Sequence, residues 1–363
     1  MRVIPLVAIA ACSLTACESP TRAVDIGKGS PQLADARAAS APAISVTALP
    51  SVGSATANGI NDAGTIVGSR AEASGLSAAV KWTFTGGAWA ATALAVGTGT
   101  SAYAINSTGT VVGADNGRAV IWPAAGGSSP LDCATDVGSD RAVAINSSGI
   151  VGGSRGEGNG IGAAVVWVAG KCRVDLIGLP GGTWATVQAI DDAGVLSGYS
   201  DEGTHASAAV RWTPGATPNT WNAAEKLLDG SVAGVGGANR AGDIVGGICL
   251  GGAPPACHTH AMVWPYPGTF TRTDLGTLGG LVSFAYGINS ATEVVGMSNT
   301  AHNRGTYGFI WSATTGMRAL NPFGHDNHSE AYGVTNALAD GSRQAVGLSS
   351  FSGTQHAVVW RIP

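Results

Sequence analysis

The chain has 363 residues, of which 45% are hydrophobic and only 12% charged, with 55 glycines and a formal net charge of −4. That charge lacks the basic field of a nucleic-acid-binding surface, and the abundance of Val, Ile, Leu and Trp excludes a disordered polymer. Beyond the N-terminal leader, no stretch approaches the roughly 18 uninterrupted apolar residues of a membrane-spanning helix.

Arg2 precedes an apolar run, Val3 to Ala11, and then comes Leu14-Thr15-Ala16-Cys17. This resembles the lipobox of bacterial lipoproteins. The resemblance implies a signal peptide over residues 1–16, lipidation of the Cys17 thiol and cleavage before it. An ordinary secretory leader is the plainer alternative. The small residue before Cys17, together with the short apolar run, favours the lipoprotein reading. Glu18 stands where an inner-membrane retention signal would resemble Asp, so the outer membrane is the expected destination if the cell has one. Residues 17–43, rich in Ala, Ser and Pro, read as the lipidated cysteine and a flexible tether. Membrane contact is expected through the lipid alone.

From residue 44 onward the sequence repeats. Seven tryptophans close one short phrase: AAVKW, RAVIW, AAVVW, AAVRW, HAMVW, YGFIW and HAVVW, ending at 82, 122, 167, 212, 264, 311 and 360. A period of roughly 45 residues is that of a four-stranded propeller blade. Ahead of each phrase lies a second one, as in ATANGINDAGTIVG, whose Asn61-Asp62-Ala63-Gly64 reads as a tight hairpin turn between a first and a second strand. Copy six has Thr292 in place of the Gly and copy seven has extra residues near Asp340, so those two turns are expected to be less regular. The second strand carries a Gly in every copy, at 68, 113, 153, 198, 246, 296 and 347. Such a Gly predicts something large lying against it, and a tryptophan is the expected occupant. Fourth strands are read at 89–94, 171–179 and 269–278. The last repeat lacks one, and residues 44–49 supply it by pairing beside 357–361. The expected fold is therefore all-β, a seven-bladed β-propeller over residues 44–363 with its ring closed by the N-terminal strand.

Leu275-Gly276-Thr277-Leu278-Gly279-Gly280, Ala285-Tyr286-Gly287-Ile288-Asn289, Val294-Val295-Gly296 and the closing His-Ala-hydrophobe-Trp phrase together resemble the bacterial HAF-type extracellular repeat family. The resemblance covers residues 44–363 and implies the propeller, with no general reaction attached. The family's His occurs here only as His260 and His356, which favours a structural role for it.

An oxidising envelope favours pairing Cys249 with Cys257 and Cys133 with Cys172. No cofactor and no metal is expected. Cys257-His258-Thr259-His260 and the cluster His325, Asp326, Asn327, His328 and Glu330 both lack the paired spacing of a structural zinc site. No Gly-x-Ser-x-Gly elbow, P-loop or His-Glu-x-x-His motif occurs, so no catalytic residue is assigned.

In a propeller the connections between second and third strands, and those from a fourth strand to the next blade, emerge on one face. Here they vary and are polar, which makes that face the candidate binding surface. Its expected contributors are Arg155, Glu157, Trp184, His205, His302, Arg304, His325, Asp326 and His328. The reading is a monomeric, non-enzymatic binding or scaffolding module whose partner is an envelope protein. A glycan stacked on Trp184 is the first alternative, and a lyase or hydrolase using the central channel the second.

Overall fold

The computed structural model describes residues 43–131, 133, 139–156, 162–169, 172–203, 207–227, 233–251, 258–266 and 271–363. The expected leader, Cys17 and nearly all of the tether lie outside the described residues, as do Glu157, His205 and Cys257.

Seven antiparallel four-stranded sheets form the propeller. Blade one runs Ala55–Ile60, Ile66–Ala71, Ser77–Thr85 and Ala88–Gly97, from the channel outward. Blade seven runs His328–Val334, Arg343–Phe351 and Thr354–Ile362, and its outermost strand is Ser45–Ala48 from the other end of the chain. Ser45 lies opposite Arg361 and Ala48 opposite Val358, as the missing fourth strand of the last repeat predicts. This closure completes the last blade and fastens both ends of the propeller's chain into one sheet.

The core consists of seven hydrophobic clusters, one in each wedge between neighbouring blades. The closing Val-x-Trp phrase makes this possible because alternate strand residues point to opposite faces. Val80 and Trp82 pack towards Val346 and Val359 of blade seven, whereas Ala79 packs towards Val111 and Trp122 of blade two. Six of the seven tryptophans are buried, and several also hold the chain arriving from the preceding blade. Trp82, Trp212 and Trp360 donate their Nε1–H groups to the carbonyls of Pro50, Ile177 and Asn321 at 2.9, 2.8 and 2.8 Å. Each ring thus fills a wedge and pins the entry into its blade.

The outermost strands are shorter than expected in blades three and five, where only Val174–Asp175 and Thr273–Asp274 pair. Just beyond them the chain turns inward, and Leu176 and Leu275 become buried. Filling the wedge wins over extending a strand that bonds on one side only.

In the first hairpin the Asn61 carbonyl accepts from Gly64 N–H at 2.9 Å, Asn61 Oδ1 accepts from Thr65 N–H at 3.1 Å, and Gly64 adopts φ 75°. Contrary to expectation, the sixth turn keeps this geometry. Thr292 itself takes φ 58°, and its N–H reaches the Asn289 carbonyl at 3.1 Å. A β-branched residue is strained in that region. The seventh turn shifts outward, with Gly341 N–H bonded to the Leu338 carbonyl at 2.8 Å.

The second-strand glycines have a different cause from the one expected. Each innermost strand carries a β-bulge, seen in blade one where Ala57 pairs with Gly68 but Gly59 pairs with Val67. The same shift recurs in the other six blades. A Cβ at position 68, 113, 153, 198, 246, 296 or 347 would collide with the carbonyl oxygen of Thr56, Ser101, Arg141, Thr186, Gly234, Phe284 or Glu330. A ring adds to the crowding at two of them: Trp167 Cζ3 would lie 2.9 Å from a Cβ at Gly153, and Phe309 Cε1 2.8 Å from one at Gly296. The occupant is backbone, which cannot rotate away as a side chain can.

Gly113→Ala is expected to destabilise the fold by about 2–3 kcal/mol, since it forces the bulged strand to move. Thr292→Gly is expected to stabilise it by about 0.5–1 kcal/mol, the relief of a left-handed β-branched residue less the entropy of Gly. Urea unfolding of the two variants beside the parent checks both, and a neutral Gly113→Ala would remove the bulge explanation.

Candidate functional site in the central channel

The innermost strands converge on a channel whose two ends differ. At the end where the Asn-x-x-Gly turns emerge, the first residues of the turns form a belt running from blade to blade. Asn61 Nδ2 donates to the Asn106 carbonyl, Asn106 to Asn146 and Asn146 to Asp191, each at 3.1 Å. The belt resumes with Asn239 Nδ2 to the Asn289 carbonyl at 3.1 Å and Asn289 Nδ2 to the Thr335 carbonyl at 2.9 Å. The same asparagines use Oδ1 to fix their own turns, as Asn106 does with Thr110 N–H at 3.0 Å, so one side chain shapes a hairpin and fastens it to its neighbour. Asp191 breaks the series because an ionised carboxylate has no hydrogen to donate. Outside the belt, Arg240 reaches towards Asp62 at 3.9 Å and Asp192 at 3.7 Å.

Next along the channel stand Ile60, Ile105, Ile145, Ile190, Ala238, Ile288 and Val334. They line both the polar cavity at the turn end and a second cavity of about 260 Å³ towards the other end. This aliphatic ring thus belongs to the walls of both chambers. The second chamber opens towards the face of the variable connections, and the bulge residues Asn58, Tyr103, Val143, Gln188, Gly236, Tyr286 and Tyr332 line it.

Two of these lining residues, Tyr286 and Tyr332 of blades six and seven, belong to a cluster of polar and aromatic groups. Tyr286 and Tyr332 lie edge to face with centroids 5.2 Å apart, and Phe284 stacks beside Tyr286 at 5.2 Å. Glu330 accepts from Tyr332 Oη at 2.9 Å and is bonded to His328 Nε2 at 2.9 Å. Burial works to raise the Glu330 pKa, but hydrogen bonds from His328, Tyr332 and Tyr286 outweigh it and hold the carboxyl below its usual range. Burial, and then the Glu330 charge, push the Tyr286 and Tyr332 hydroxyls upward. Burial alone lifts Tyr199 to about 12. At neutral pH protonated phenols thus surround a fixed negative charge. The Gln188 amide and Tyr103 hydroxyl also line the chamber, and they make no side-chain hydrogen bond among the described residues.

Of the nine residues expected to form a binding face, the structure brings His328 to this cluster. Arg155 is paired with Asp175 at 3.6 Å. Asp326 has a side chain only 6% exposed, accepting from Ser349 Oγ at 2.6 Å and bonded to His356 Nδ1 at 2.9 Å, so it serves the scaffold. Trp184 lines a separate cleft with Ile177, Leu179 and Thr183. His302, Arg304 and His325 are exposed on connections. His260 Nδ1 meets Asp274 at 2.9 Å, joining third and fourth strands, which agrees with a structural role for the repeat's histidine. Cys133 and Cys172 are disulfide-bonded with Cα atoms 5.3 Å apart. Cys249 is also disulfide-bonded, and its expected partner Cys257 is outside the described residues. Sequence reasoning passed over Tyr286, Tyr332 and Gln188. The bulge position they share, immediately before the small residue of each inner strand, was the available signal.

The chain matches no protein-family model and no curated protein. Among solved structures, a streptogramin B lyase is similar at 12% identity with a TM-score of 0.52, over 87% of this chain and 97% of that one. A catalytically inactive variant of virginiamycin B lyase from Staphylococcus aureus, with quinupristin, is similar at 11% identity with a TM-score of 0.51, over 88% of this chain and 100% of that one. At such identities the likeness shows the propeller fold alone.

Asp191→Asn is expected to supply the missing donor towards the Asn239 carbonyl and to raise stability at pH 7 by about 1 kcal/mol. Burial raises the Asp191 pKa, with backbone N–H groups of Val195, Ala193 and Gly194 opposing and Asp192 adding to the rise. A carboxyl whose folded pKa is raised is most favourable to folding below its unfolded pKa, and it loses that contribution as pH climbs through the folded value. The gap in urea-unfolding stability between variant and parent should therefore widen as pH rises from about 3 to 7. A constant gap would refute the assignment.

Proposed function

We propose that this chain is a binding module of the bacterial cell envelope, carried on lipid at Cys17 and held clear of the membrane by residues 18–43. The observation that carries the reading is the contrast between the two ends of the channel. Side chains repeated from blade to blade tie the turn end together, whereas the other end bears non-repeated aromatic and amide groups. Repetition serves the ring, and the groups that depart from it are free to serve a ligand.

The ligand meets the face of the variable connections, with His302, Arg304 and His325 on its rim and Tyr286, Tyr332 and Gln188 within. A protein partner across that face, or a glycan, is accommodated without chemistry. The Cys133–Cys172 disulfide supports an oxidising compartment, and the lipobox resemblance of Leu14 to Cys17 supports the anchor. A lyase or hydrolase is the second reading, since His328 and Glu330 are the one acid–base pair seen beside the chamber among the described residues. The similar lyase structures add to it only the fold.

Photo-crosslinkers placed at His302 and His325 in living cells are expected to capture one reproducible envelope component, and a crosslinker at Ser107 on the turn face is not. Cys17→Ala should release the protein from the membrane fraction and reduce the capture. Equal labelling from the two faces, or turnover of a substrate with no stable capture, would overturn the binding reading. Retention of Cys17→Ala in the membrane fraction would remove the anchor.

A further inference from the structure

We propose that the outermost strand of blade one, Ala88–Gly97, is a docking edge for a second copy of this chain, the two strands pairing antiparallel about a two-fold axis at Ala91. The proposal goes beyond the binding-module reading and uses none of the residues that line the channel.

Three observations carry it. The first is length. The outermost strand has ten residues in blade one, five in blade six, four in blade seven and two in each of blades two to five. It pairs with Ser77–Thr85 on its inner side. No backbone hydrogen bond leaves its outer side among the described residues. Alternate residues of a strand direct N–H and C=O to the same side, so the free edge is a row of donors and acceptors that another extended chain completes.

The second is the lack of protection. Shortness, charge or proline keeps a sheet edge from pairing. The outermost strands of blades three to six carry Asp175, Glu225 with Lys226, Asp274 and Arg318, and that of blade two ends in Pro130. Around the long strand of blade one, no charged residue occurs between Lys81 and Asp115. A bulge at Leu94 interrupts it, since Ala95 lies opposite Ala79 but Ala93 opposite Val80. Ala88–Ala93 remains as a regular run.

The third is self-complementarity. Residues opposite one another across an antiparallel pair share a face and pack together. About a two-fold axis at Ala91, the regular run sets Trp89 against Ala93 of the second copy, Ala90 against its Thr92, and Ala91 against its own counterpart. The one bulky side chain meets a small one, and no charge meets another. Trp89 and Ala91 already lie on one face, packed towards the wedge shared with blade seven, which is what this register requires. A foreign strand would need a sequence matched to the run, whereas a second copy has it by symmetry.

The test follows the full-length Cys17→Ala protein by sedimentation over a concentration series, where a reversible monomer–dimer equilibrium is expected. Ala90→Lys combined with Thr92→Lys sets like charges opposite each other twice and should weaken the dimer at least about tenfold. Ala90→Lys combined with Thr92→Glu sets unlike charges there and should restore it. Both side chains are exposed, so each double variant should keep the parent's melting temperature. Ala91→Cys should form a disulfide between copies on mild oxidation, and Thr85→Cys, at the tip of the same hairpin, should not. A monomer at every concentration, a dimer indifferent to the lysine pair, equal weakening by both double variants, or coupling through Thr85→Cys but not Ala91→Cys would each overturn the proposal.

Discussion

The extra residue in each innermost strand is the constraint on which the rest of this propeller depends. Pairing Ala57 with Gly68 and Gly59 with Val67 leaves Asn58 with no partner of its own. The strand kinks there, as bulges make strands do, and the kink has consequences on both sides. Outward, it drives the Thr56 carbonyl onto the second strand, which must then be glycine at position 68. Inward, it delivers the unpaired residue to the channel wall. One backbone irregularity therefore imposes a glycine seven times and creates seven lining positions.

Those seven positions hold Asn58, Tyr103, Val143, Gln188, Gly236, Tyr286 and Tyr332. The next residue in each strand is by contrast Gly or Ala, because inner strands of adjacent blades approach closely there: a Cβ at Gly237 would lie 2.6 Å from the Tyr286 carbonyl oxygen. After an aliphatic residue comes the first residue of the turn, in five blades an Asn whose side chain spans the gap to the next blade. Over these three residues the requirement passes from small, to apolar, to polar. The bulge position before them is the one that varies most: blades six and seven place tyrosines there, whereas at Gly236 an added Cβ would meet the Ala285 carbonyl oxygen of the next blade.

The blade count, the strand order, the closure by residues 44–49 and the wedge-filling tryptophans were legible in the sequence because each depends on a period or an alternation, and a single chain displays both. The reason for the second-strand glycines was not legible. Pattern shows that Gly113 is small, but only register shows that the Ser101 carbonyl takes the space. The sixth turn was misjudged for a related reason: Thr292 is a poor residue for φ 58°, yet Asn289 fixes the turn through Glu293 N–H at 2.9 Å, and tertiary bonding overrides the local preference. The site was the least legible part. Tyr286 and Glu330 belong to different repeats, and nothing local in either phrase says that a phenol in one meets a carboxylate in the next.

The polar residues conspicuous on variable connections and those gathered in the channel answer different physical demands. Asp326 and Arg155 stand out in the sequence because charge is scarce in this chain, but the scarcity itself means that each charge near a wedge must find a partner. Asp326 finds His356 and Ser349, and Arg155 finds Asp175. A charge so engaged has little left for a ligand. Glu330 is engaged as well, by His328 and Tyr332, and of these Tyr332 stands at the channel wall, so here the charge braces a lining residue.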